Sequence, residues 1–264
     1  MIGTTHLAAP SNTDASFPGV RAVNRAGCTD NFEIFYDRDL GETGRLASAV
    51  VLNRAERDLA FIREIFGGVA LSADRFTVVL VQFASGGAAS QIAGDTKTLF
   101  CSVQTTPQLE ALQSSFFLAV LLADVFAGAA GWDRRIGNAL ARVLATSLYP
   151  RRIAGYATAW MWLGGDRYDF VSTRAPVTAS STGCAVLFLN YLHHQLGFLW
   201  REIAAIPAPT LGLVGGRLTG THDAFAPFQA LLAQHFPVGQ WPPQLTDNLF
   251  PIDGAVRFLT DRNP

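Results

Sequence analysis

The sequence predicts an α+β fold: a small mixed sheet packed on a long helix, followed by a mostly helical C-terminal half. Three observations point there. Of 264 residues, 49% are hydrophobic and only 16% are charged, which is enough apolar material for a sizeable core and too much for a disordered chain. The apolar patterns run in the order strand, long helix, strand, loop, strand, helix, helix. After that only helical patterns follow, as in domains that segregate helices from one sheet.

Taken in order, residues 1–30 are rich in Pro, Gly, Ser, Thr and Asn and read as an extended N-terminal arm. "NFEIFYD" (31–37) alternates apolar and polar residues, the period of a strand. "TGRLASAVVLNRAERDLAFIREIFGG" (43–68) places Leu46, Val50, Leu59, Ile62 and Phe66 at mostly helical spacing, and Gly67-Gly68 ends the helix. "RFTVVLVQF" (75–83) is β-branched and apolar, as a central strand should be. "ASGGAASQIAGD" (84–95) reads as a loop or irregular edge, and "TLFCSVQ" (98–104) as another strand. From Pro107 to Phe126 the pattern is helical.

"GNALARVLATSLYP" (137–150) is a helix with Asn138 as N-cap and Pro150 past its end. Residues 151–182 form a long surface excursion. "GCAVLFLNYLHHQLG" (183–197) is a buried helix, "LWREIAAI" (199–206) a short one. "THDAFAPFQALLAQHFP" (221–237) is a last amphipathic helix that Thr221 could cap. The organisation is one domain: the arm at 1–30, an α+β part at 31–150, and a helical part at 151–264.

Net charge is −1, which argues against nucleic acid or anionic lipid as a partner. Three cysteines, Cys28, Cys101 and Cys184, form no CxxC pair. They are neither a disulfide framework nor a zinc cluster, though one bridge is open to them. The first residues lack a basic segment followed by an apolar run, so they do not read as a signal peptide, and the default compartment is cytoplasmic. "SSFFLAVLLADVFAG" (114–128) must be tested as a membrane span. It is at the lower limit of length, contains Asp124 and lacks a basic flank. It reads as a buried helix of a soluble protein.

The polar candidates are few. His193 and His194 are adjacent, so on a helix they point about 100° apart and cannot chelate one metal. His222-Asp223 sits at a helix start, where a carboxylate favours the positive end of the dipole. "ASGGAAS" holds no GxSxG, GxGxxG or P-loop pattern. Cys184 opens an apolar helix and reads as a small buried hydrophobe. Trp160, Trp162, Tyr156 and Tyr168 cluster with Arg151, Arg152, Arg167 and Arg174. Two readings stand for them: a binding surface, with Trp160, Trp162 and Arg167 at its centre, or aromatics that plug the core beneath solvated arginines.

The β-α-β-β-α-α order over about residues 31–236 resembles the zincin fold of metallopeptidases, in particular its gluzincin branch. In that family a helix after the edge strand carries HExxH, whose histidines bind zinc and whose glutamate is the general base; a following helix supplies a glutamate ligand in a stretch like GEGLSRxLA. Here "VLLADVF" (120–126) sits where HExxHVF would sit, and "GNALARVLA" (137–145) resembles the second helix. "GCAVLFLNYLHHQLG" and "LTGTHDAFAPFQALLAQHF" resemble the helical C-terminal subdomain. The ligand and base positions hold Val120, Leu121, Asp124 and Ala139. Valine, leucine and alanine neither coordinate zinc nor move a proton, and Asp124 alone cannot hold the metal.

The resemblance thus implies a zincin-like scaffold without metal or cofactor. Residues 84–95 become the edge strand that pairs with an extended peptide, through Ser85, Gly86, Gly87 and Ser90. The expected function is non-catalytic binding of a peptide or protein segment. Two alternatives stand beside it: a metal-independent hydrolase with Asp124 as general acid or base, and a structural protein whose apolar surfaces form an oligomer.

Overall fold

The structure, a computed structural model, describes residues 6–13, 17, 20, 22–71, 75–83, 90–92, 98–103, 110–150 and 158–237. It is mixed α+β, and the chain divides into two compact units. The first comprises Met1–Ile62 and Ala70–Val125, the second Arg63–Val69 and Phe126–Pro264.

The first unit is built on a six-stranded sheet. Its strands are β1 (His6–Thr13), β2 (Val23–Cys28), β3 (Phe32–Asp37), β4 (Phe76–Val81), β5 (Ser90–Ile92) and β6 (Thr98–Ser102), in spatial order β1-β2-β3-β4-β6-β5. The pairs β3–β4 and β4–β6 are parallel; β1–β2, β2–β3 and β5–β6 are antiparallel. A parallel pair needs a long crossover, and helix α1 (Gly41–Ile65) supplies it between β3 and β4. The central strands are buried on both faces: Val78, Val79 and Leu80 are each 0% exposed, as the unbroken apolar run "FTVVLV" requires.

Residues 1–30, expected as an arm, contribute β1 and β2 to this sheet. Glu56 on α1 pins the turn between β2 and β3: it accepts hydrogen bonds from Thr29 Oγ1 (2.5 Å), Asn31 N (2.8 Å) and Asn31 Nδ2 (2.8 Å).

Of the apolar positions expected along helix α1, Leu59, Ile62 and Phe66 are buried but Leu46 and Val50 are not. Leu46 is 52% exposed and Val50 only half-buried, whereas Ala47, Val51, Leu52, Ala55, Leu59 and Ile62 are buried. Two alanines on that face let the helix backbone approach its neighbours closely, and the resulting packing outweighs burial of one leucine. Helix α2 (Glu110–Ala129) contains the stretch Leu112–Ala129, which is long and apolar enough to cross a membrane, and 67% of that stretch is buried inside the protein. A core helix accounts for it.

The second unit is helical: α3 (Arg134–Leu148), α4 (Ala159–Leu163), α5 (Ala179–Asn190), α6 (Trp200–Ala204), α7 (Leu211–Thr219) and α8 (Phe225–His235). Its caps differ in part from those expected. Asp133, not Asn138, caps α3, accepting from Arg135 N at 3.1 Å; Asn138 lies within the helix and accepts from Arg142 Nε at 3.0 Å. Thr178 and Ser181 form a capping box at the start of α5. Asp223 satisfies the free N–H groups at the start of α8, as its place at the helix start suggested, accepting from Phe225 N and Ala226 N at 3.1 and 3.0 Å; Thr221 is not the cap. Helix α5 continues into a π-helical turn, Tyr191–Gln195.

Candidate functional site

In the first unit the candidate site consists of β5 and α2. Strand β5 stands at one end of the sheet, pairing Ser90, Gln91 and Ile92 with Cys101, Phe100 and Leu99 of β6. Among the described residues no strand pairs with its other edge. Of the expected contact residues, Ser90 opens this strand; Ser85, Gly86 and Gly87 lie outside the described residues. On α2, Val120 and Leu121 are 7% and 4% exposed. Asp124 is half-buried and engaged by a neighbouring group.

A cleft of about 470 Å³ in the same unit is lined by Val50, Asn53, Arg54, Arg57 and Leu112. Arg57 is tied to the fully buried Asp58, with Nε at 3.0 Å and Nη2 at 2.6 Å from Oδ1. The spacing of Asn53, Arg54 and Arg57 on one helix was the signal that could have drawn notice to it.

In the second unit Ala139, which the zincin resemblance sets at the third-ligand position, is 0% exposed. The aromatic–arginine cluster is only partly a surface. Trp162 is 1% exposed, stacks on Phe228 with ring centroids 5.8 Å apart, and donates from Nε1 to Tyr168 O at 2.9 Å. This corrects its expected place at the centre of a binding surface, because its ring is committed to the core. Trp160 is half-buried. Arg167 is half-buried, with φ of 48°, and its Nε donates to Leu163 O at 3.0 Å; burial lowers its pKa. Met161, Tyr168 and Arg174 face solvent, the first two 62% and 70% exposed; Tyr156, Arg151 and Arg152 lie outside the described residues.

The two adjacent histidines are closer than an α-helix would hold them. In the π-helical turn the His193 and His194 rings are 4.5 Å apart, centroid to centroid. His193 stacks on Trp200 at 4.2 Å and its Nδ1 lies 2.7 Å from Phe198 O. Desolvation first, and His193 second, lower the pKa of His194. Among the described residues no group of three or more His, Cys, Asp or Glu is placed to hold a metal ion. Cys28, Cys101 and Cys184 are free thiols, with Cys101 and Cys184 buried. A second cleft, of about 320 Å³, runs along α7 between Thr210 and His222, with Arg217 as its cation.

No protein-family model, no curated protein and no solved structure matches this chain.

Proposed function

We propose that the protein is a non-catalytic binder on a zincin-like scaffold and takes an extended peptide or protein segment along β5. One observation carries this reading: β5 is a terminal, antiparallel strand, followed in the chain by β6 and then α2. Its outer edge offers main-chain N–H and C=O groups to an added strand. The apolar Val120 and Leu121 favour binding over turnover, since neither can ligate zinc or move a proton and the carboxylate of Asp124 alone cannot hold the metal.

Panning the purified full chain against displayed random decapeptides tests the proposal. Retained peptides should bind at least about tenfold more weakly when Gln91 or Ile92 is replaced by proline, because one of the two removes an outward N–H and the other breaks the ladder to β6. No enrichment of peptides, or enriched peptides indifferent to both prolines, would sink the reading.

Asp124→Ala should lower the affinity for the retained peptide, or the stability of the first unit, by about 1–2 kcal/mol. It should leave the metal content unchanged. Elemental analysis should find well below one zinc per chain in wild type and variant alike. Zinc near one per chain that Asp124→Ala strips away overturns the reading, and so does turnover in a peptidase and esterase screen, which would transfer Asp124 to the hydrolase alternative.

A further inference from the structure

Arg135 lies in the first turn of α3, yet its side chain is sealed in the second unit at 1% exposure. Nη1 donates to Phe170 O at 2.8 Å. Nε and Nη2 are buried and meet no acceptor among the described residues. Those two nitrogens share one edge of the planar guanidinium, the edge that receives an oxyanion side-on. The same protein uses that edge elsewhere. Arg45 directs Nε and Nη2 at the two oxygens of Glu42, 2.7 and 2.5 Å away, and Arg57 directs its own pair at Asp58.

A guanidinium stays protonated, and a buried charge costs several kcal/mol unless it is paired. Asp133 and Cys184 favour this charge through space, but neither accepts a hydrogen bond from Nε or Nη2. Asp133 is engaged at the helix N-terminus. Cys184, 0% exposed, interacts with both Arg135 and the main chain of Phe170, but burial pushes its thiol well above the ordinary range and keeps it neutral. Two donors on one edge of a buried cation therefore lack an acceptor among the described residues.

We propose that Arg135 is an internal receptor for a small planar oxyanion or carboxylate, held side-on by Nε and Nη2. The inference is independent of peptide binding at β5. It is tested by thermal denaturation of the full chain at constant ionic strength, exchanging chloride for nitrate, formate or acetate. The melting temperature should rise saturably with the planar anions, by about 3–6 °C at ten times the dissociation constant, and less with chloride. The rise should vanish in Arg135→Met, which keeps an unbranched chain in place of the charge. Identical behaviour of all the salts in wild type overturns the proposal, as does a saturable rise that Arg135→Met retains. Should that variant fail to fold, wild-type crystals grown in formate decide: a planar anion on Nε and Nη2 supports the proposal, and water or a protein acceptor there refutes it.

Discussion

Trp162→Ala lowers stability by about 3–5 kcal/mol, the range for removing a buried tryptophan. The side chain is 1% exposed, and its ring stacks on Phe228, which also meets Phe188 edge-on at 5.3 Å and Tyr191 at 5.5 Å. Deleting the indole empties the centre of this aromatic cluster and leaves Tyr168 O without the donor it now has at 2.9 Å. Urea denaturation followed by circular dichroism reads the loss directly. The result also separates two roles for the aromatic-rich segment. A tryptophan that served as a binding platform would lose its ligand on truncation and keep its fold. Tyr168→Ala is the comparison, because that ring is 70% exposed and its removal should shift stability by no more than about 0.5 kcal/mol. A loss at Trp162 as small as that at Tyr168 would show that the indole is not a core element.

Gly183→Ala costs at least about 3 kcal/mol. A Cβ on Gly183 would stand 2.0 Å from Thr158 O, 2.6 Å from Thr158 C and 3.0 Å from Ala159 Cα. All three are backbone atoms, so no side chain can swing aside to make room. The first turn of α4 must instead move away from α5, and the buried contacts between the two helices loosen with it. Gly128→Ala is the matched control. Nothing lies within 4 Å of its added methyl, and alanine in a helix is favoured over glycine, so it should be neutral or stabilising by up to about 1 kcal/mol. Equal effects at the two glycines would mean that α4 and α5 are not in the close contact described.

Strands β3, β4 and β6 were legible because their runs are β-branched and aromatic, and the lengths of α1 and α5 were legible from apolar spacing and flanking Gly residues. Strands β1 and β2 were not. Their composition is that of a loop, and they are strands because the neighbouring strands complete their hydrogen bonds. The inward face of α1 was read in part: Leu59 and Ile62 are buried, Leu46 is not. Counting large apolar residues selects Leu46, while close approach of the backbone selects Ala47 and Ala55. The candidate site divides in the same way. Val120, Leu121, Asp124 and Ala139 could be named from a motif, whereas the pairing of Ser90 with Cys101 at the sheet edge could not.

Sequence by itself determined the class of the protein: its apolar content demanded a core and its periodicities ordered strands before helices. Those properties are local or additive, so a linear reading reaches them. Tertiary structure decided which tryptophan is core and which aromatic is surface, which aspartates cap helices, and that Arg135 turns inward with one edge of its guanidinium unmatched. Each of these depends on which groups from distant segments meet at a given point. Burial and hydrogen bonding belong to that meeting place rather than to any single residue.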